Sequence, residues 1–228
     1  MVLVIDDEES IQKLLAAALE RDGYRVIGAR DATDGLLAVE RDRPDVVLLD
    51  VMLPDLSGRE VCRRIRAGSN VPIIMVSALD EEVDKVVGLE LGADDYSTKP
   101  FGMRELRSRV KAALRRAALT PSLEGSDDDA RIEIGEVVLD GARRTVAVRG
   151  DTVELTYVEF ELLQMLMTSR GRVFSRAQLL DGIWGSSDFR EPRTVDVHVR
   201  HLREKLEPEP SEPIYIQTVR GVGYRFSE

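Results

Sequence analysis

Apolar and polar positions follow different rules in the two halves of the chain. Through residue 116, short runs that are apolar on both faces (VLVID, YRVIGA, DVVLLD and VPIIMVSA) alternate with segments in which apolar residues recur every three or four positions. Those segments are IQKLLAAAL, DGLLAVERD, GREVCRRIR, EEVDKVVGLELGA and MRELRSRVKAALRR, and DDYSTK is a fifth strand candidate. Strands apolar on both faces, separated by helix-length stretches, predict a parallel sheet covered on both sides. The expected fold of residues 1–116 is therefore α/β, a doubly wound five-stranded parallel sheet, and in such sheets ligands collect at the carboxyl ends of the strands.

The pattern breaks at residues 117–130, AALTPSLEGSDDDA, which are small, polar and acidic. This composition predicts a flexible linker with a root-mean-square span of roughly 20 Å. From residue 131, RIEIGEVVLDGARRTVAVRGDTVEL alternates with period two, with turns expected near Asp140–Gly141 and Gly150–Asp151. Three helical segments follow: YVEFELLQMLMTS, SRAQLLDGIW and the run from Thr194 to Leu206. IYIQTVRGVGYRFS closes the chain as a hairpin around Gly221 and Gly223, so residues 131–228 read as a second, α+β domain.

Composition narrows the setting. The formal net charge of −10 argues against indiscriminate nucleic-acid binding, although Arg193–Lys205 carries four Lys/Arg, two acids and both histidines. The single cysteine, Cys62, excludes an intramolecular disulfide and suits a reducing compartment; its place in a helical pattern marks it as a core residue. The start of the sequence lacks a basic, then apolar, leader, and the apolar runs are too short to span a bilayer. The expectation is a cytoplasmic protein with no membrane partner.

Chemistry enters where the strands end. Asp6 and Asp7 follow VLVI, Asp50 follows VVLL, Ser77 ends the fourth strand candidate and Lys99 ends the fifth. Three carboxylates within about 4 Å of one another would repel by about 4 kcal/mol per pair at an effective dielectric near 20. A hard divalent cation resolves this, and Mg²⁺ suits a site with few carboxylates and retained waters. Beside it, Asp50 could act as a nucleophile toward phosphorus, with Lys99 neutralising the phosphoryl oxygens. Lys99–Pro100 fits a tight turn that fixes the ammonium, a turn open to a cis bond. Each acid taken singly could equally cap a helix or begin a turn; it is the set at five strand ends that favours a site.

VLVIDDEES, VVLLDVMLPDLSG, VPIIMVSA and GADDYSTKPF together resemble the receiver domain of bacterial two-component response regulators. The resemblance implies that Asp50 accepts a phosphoryl group from a sensor histidine kinase. It implies that Asp7, Asp50 and the backbone carbonyl of Met52 hold Mg²⁺, with Asp6 assisting through water. Ser77 and Tyr96 would form a switch pair, and Lys99 would touch the phosphoryl group. In receivers of the OmpR/PhoB type, the positions of Lys85, Asp94, Asp95, Glu105, Arg109 and Arg116 form crossed salt bridges in a symmetric dimer. Homodimerisation on phosphorylation, through the segments around 81–93, 94–99 and 103–116, is the expectation.

On a wheel of about 100° per residue, Val195, Val199, Leu202 and Leu206 form one seam, and Arg193, Val197, Arg200, His201 and Glu204 point the other way. Such a basic face suits a major groove. RTVDVHVRHLREKLE and QTVRGVGYRF resemble the winged-helix effector of the OmpR/PhoB family over residues 131–227. Trp184, before a loop, could donate its indole N–H to phosphate, and Thr218, Arg220 and Gly221 form a hairpin tip that could lie along the backbone or minor groove of double-stranded DNA. The resemblance supports Arg193, His198 and Arg200 as phosphate contacts, His201 as a base contact and Arg220 in the wing, and Thr194 and Arg203 are further candidates for DNA contact. RNA polymerase is a further partner that it admits. The family commonly has Arg where this chain has His201, so the sequence predicts altered base preference and binding that strengthens as pH falls. The function implied is a phosphorylation-dependent transcriptional regulator that binds tandem half-sites, not an enzyme in its own right.

Overall fold

The computed structural model describes residues 1–78, 88–89, 91–117, 131–185 and 192–228, the side chains of residues 115–117 excepted. The chain divides into two compact units, residues 1–118 and 119–228. The linker expected at 117–130 lies almost wholly outside the described residues, as do most of the helical segment expected around 81–93 and Lys85 with it.

In the first unit, β1 (Val2–Ile5), β2 (Val26–Ala29), β3 (Val46–Asp50), β4 (Ile73–Ser77) and β5 (Asp95–Thr98) form a parallel sheet in the order β2-β1-β3-β4-β5. Every residue of β1, β3 and β4 is buried, as their unbroken apolar runs require. Alternate residues serve opposite faces. Val47 and Leu49 pack with α2 (Ala32–Asp42) and α3 (Gly58–Arg66), whereas Val46 and Leu48 pack with α1 (Glu9–Glu20) and α4 (Met103–Ala117). Cys62 is a core residue of α3, where burial pushes its thiol up to about 11.

Register positions the site. Ile5 pairs with Leu49 and Asp50 with Val76, so the next step along each strand brings Asp6, Asp50 and Ser77 to one edge. Ser77 pairs with Thr98, and Lys99 follows, its N–H donating to the Ser77 carbonyl at 2.6 Å; the Lys99–Pro100 peptide is cis. Two acids cap α2. Asp31 accepts from Asp34 N–H, and Asp55, in the loop after β3, accepts from the N–H groups of Ala32 and Thr33 and from the Thr33 hydroxyl. These bonds hold the Asp55 carboxyl down at about 2 and tie the loop beyond Asp50 to the neighbouring helix.

In the second unit, β6 (Arg131–Ile134), β7 (Val137–Asp140), β8 (Thr145–Val148) and β9 (Asp151–Val153) form an antiparallel sheet. Three helices follow: α5 (Tyr157–Thr168), α6 (Arg176–Trp184) and α7 (Arg193–Leu206). Thr156 with Glu159, and Ser175 with Gln178, form capping boxes that start α5 and α6. β11 (Ile216–Val219) and β12 (Gly223–Phe226) make the terminal hairpin, turning at Gly221 with φ +75°. A two-residue strand absent from the sequence reading, β10 (Phe174–Ser175), pairs with β12. The Gly223 position is filled by β10 backbone, so a Cβ there would collide with the Phe174 carbonyl. No helix among the described residues is long and apolar enough to cross a membrane.

Candidate functional site

The edge of the parallel sheet gathers the expected chemistry. Oxygens of Asp6, Asp7 and Asp50 lie within 4.8 Å of one another. Lys99 Nζ donates to Asp50 Oδ2 at 2.6 Å, to Asp6 Oδ2 at 2.8 Å and to Glu8 Oε1 at 3.2 Å. Glu8 was not among the sequence candidates. It is an exposed acid in a DDEE run, and only the fold of that turn brings it to the ammonium. Asp50 Oδ1 accepts the Met52 N–H at 3.0 Å, which fixes the carboxylate plane, and Asp6 Oδ1 accepts the Glu8 N–H at 2.9 Å.

Asp6 and Asp50 are buried and Asp7 is exposed. Burial, the largest influence, raises the Asp6 carboxyl above the usual carboxylate range, against the Lys99 hydrogen bond that lowers it. Burial also works against the charge of Lys99, but its bonds to Asp50 and Asp6 outweigh that and leave it above the ordinary lysine value. Lys99 thus meets three carboxylates with Asp7 as a fourth beside them, a hard-oxygen set with surplus negative charge that fits a divalent metal such as Mg²⁺. Gly58 is fixed by the same geometry: its N–H donates to the Val51 carbonyl, and a Cβ would collide with the Asp50 carbonyl oxygen.

Ser77 is fully buried at the same edge. Tyr96 is buried beside Met75 and Gly88, its ring turned into the domain. Arg109, itself buried, donates to Asp95 at 2.5 Å and to Glu105 at 2.6 Å, so three of the six expected interface charges are joined within one chain. Asp94 is buried too and accepts from Arg66 at 2.7 Å and from the Ile73 N–H at 2.8 Å. Lys85 and the Arg116 side chain are outside the described residues.

The second unit corrects several readings of the basic helix. Val195, Val199, Leu202 and Leu206 are buried as expected, but so is Val197, placed outward by the wheel. His198 is 1 % exposed and its ring lies 5.7 Å from that of Trp184, itself 2 % exposed. The phosphate contacts expected of Trp184 and His198 are therefore corrected: both are core residues where α6 meets α7. The wheel assumed one packed side, whereas α7 packs against both α5 and α6, and the buried arc is wider than its apolar seam.

His201 is half-buried against α5, its Nδ1 3.7 Å from Glu159 Oε1; Lys205 reaches the other oxygen at 2.6 Å. Burial, outweighing the attraction of Glu159 and Glu204, lowers the His201 pKa below 6.5, so a proton-dependent contact there would require lower pH than the sequence suggested. Arg193 and Arg200 are exposed, Thr194 is half-buried, and Arg220 sits in the hairpin turn with exposed Val222. Arg203 turns away from the outward strip, donating to the Ile216 carbonyl at 2.6 Å and to the Thr218 hydroxyl at 2.7 Å. Glu207 completes the tie: its carboxylate accepts the N–H groups of Ile214, Tyr215 and Ile216 at 2.7–3.0 Å.

Residues 2–111 match the response regulator receiver domain, and residues 150–226 match the C-terminal domain of transcriptional regulatory proteins. The chain is 47% identical over 224 residues to the sensory transduction protein RegX3 of Mycolicibacterium smegmatis, covering 98% of this chain and 97% of that one. RegX3 of Mycobacterium tuberculosis is also 47% identical, with the same coverage. Among solved structures, a C128D mutant of RitR superposes with a TM-score of 0.77 at 25% identity, covering 100% of this chain and 98% of that chain. DrrB, an OmpR/PhoB homologue from Thermotoga maritima, is 34% identical with a TM-score of 0.51 and the same coverage.

Proposed function

The chain belongs to the OmpR/PhoB-type response regulators of two-component systems, transcriptional regulators that join a receiver to a DNA-binding effector, and on that footing we propose that phosphoryl transfer to Asp50 controls its DNA binding. The observation that carries this reading is the placement of Asp50, held by the Met52 N–H on one oxygen and by Lys99 on the other, at the sheet edge beside Asp6 and Asp7.

An Asp50 carboxylate oxygen attacks the phosphorus of the kinase phosphohistidine; a P–O bond forms as the P–N bond breaks, and the imidazole leaves. Lys99 stands within reach of Asp50 to neutralise a phosphoryl oxygen, and the buried Ser77 hydroxyl is the group that would turn toward it. Asp7, Asp50 and the Met52 carbonyl would hold Mg²⁺, with Asp6 assisting, and the metal would offset charge on the transferring group. A new phosphoryl group would compete for Lys99 with Asp6 and Glu8, a local change that Ser77 and Tyr96 relay.

Dimerisation would exchange the in-chain bonds of Arg109 for bonds to a second copy. Two effector domains held together then bind tandem half-sites more tightly, through effective concentration rather than new contacts. The test is labelling with acetyl phosphate and footprinting on genomic DNA with and without that donor. Wild type should label, dimerise and extend its footprint; Asp50→Ala should do none of these. Labelling that persists in Asp50→Ala would mean that another residue is the acceptor.

A further inference from the structure

Burial leaves α7 a narrow outward strip. Val195, Val197, His198, Val199, Leu202 and Leu206 are buried, Thr194, Asp196, His201 and Arg203 are half-buried, and the exposed residues are Arg193, Arg200, Glu204 and Lys205. At about 100° per residue, Glu204 falls about 170° from the centre of the apolar seam, on the same side of the helix as Arg193 and Arg200. The face opposite the seam therefore carries an acid, 47% exposed, whose Oε1 accepts from Arg200 Nε at 2.9 Å.

Apart from the pair with Arg200, the helix position disfavours an acid. Glu204 lies in the last turn of α7, where the helix dipole disfavours negative charge. Its pair with Arg200 has the acid C-terminal to the base, the weaker of the two i,i+4 orders. Against a duplex, an outward carboxylate repels phosphates and weakens binding to every sequence alike. One partner in the major groove reverses that cost: the N4 amino group of cytosine, the base-edge donor that a carboxylate accepts from. Arg200, one turn earlier and already bonded to this carboxylate, is placed to meet the phosphate or guanine beside it.

We propose that Glu204 is a specificity-determining residue that accepts from a cytosine N4 in the major groove and rejects duplexes lacking it. This inference rests on the reading of α7 as the groove-facing helix of the effector domain. Being exposed, Glu204 can be replaced without disturbing the core.

The experiment selects duplexes from a randomised pool with the full chain, treated with acetyl phosphate, and then titrates the recovered site and its single-base variants. Wild type should discriminate about 10-fold or more for cytosine at one position of each half-site. Glu204→Ala should reduce that preference to less than about 3-fold, and Glu204→Gln should shift it toward adenine, which an amide reads at N6 and N7. An unchanged preference in both variants overturns the proposal, including the case in which they simply bind every sequence more tightly. A wild-type chain that selects no sequence at all would instead refute the reading of α7 on which the proposal rests.

Discussion

At the sheet edge of the receiver, charges meet one another behind protein: the Lys99 side chain is 12% exposed and touches three carboxylates. On the outward strip of α7 they face water: the Arg200 side chain is 63% exposed and has Glu204 beside it. The first arrangement is assembled in advance, as the proposed chemistry on phosphorus would require, because preorganised charge costs no reorganisation during reaction. The second is left open, as the proposed binding to DNA would require, because the gain there would come from releasing counterions when phosphates replace water and salt. A fold that places reactive groups and a surface that places contacts are thus different problems, and they respond differently to substitution.

Trp184→Ala should have the largest effect and breaks the comparison most directly, since it treats an expected DNA contact as core. Loss of a buried indole costs about 3–5 kcal/mol, so urea denaturation should show the effector domain strongly destabilised. The DNA affinity of the remaining folded chain should be unchanged; weaker binding at full stability would return Trp184 to the surface. Gly58→Ala tests the rigidity of the other region. Overpacking against the Asp50 carbonyl should cost about 1–3 kcal/mol and slow labelling by acetyl phosphate, whereas unaltered stability would show that the loop gives way freely.

Lys99→Ala sharpens the electrostatic side. Removing the one cation among four acids should tighten Mg²⁺ binding several-fold while labelling falls, because the acids lose the competitor for their charge. Calorimetric titration that finds weaker Mg²⁺ binding would mean Lys99 organises the acids more than it neutralises them. The smallest effect concerns His201. Its pKa is lower folded than unfolded, so the stability it contributes is complete above about 6.5 and is lost as pH falls through that value toward the folded pKa. Thermal melts of the effector domain should decline modestly between pH 7 and 5, and His201→Gln should flatten that decline.

The difference between the regions also explains what could be read from sequence. Asp6, Asp50 and Ser77 were legible because strand ends in a parallel sheet share an edge, and period and topology suffice to place them. Glu8 and Asp55 were not, since their roles depend on how turns direct a side chain toward a neighbouring strand or helix. Val197 was misplaced because a wheel gives the angle of a residue but not the number of helices packed around it, and the meeting of α6 and α7 that buries Trp184 and His198 has no signature in either helix alone. β10 escaped because two residues carry no period.

The bonds from Arg203 and Glu207 to β11 have a consequence for whatever duplex this domain meets. If α7 and the hairpin meet DNA as proposed, these bonds would make them a caliper with a set gap: a sequence whose grooves lie at another spacing would have to bend or twist to be gripped. Base pairs lying between the two contacts, untouched by any side chain, would then be chosen by how readily they deform.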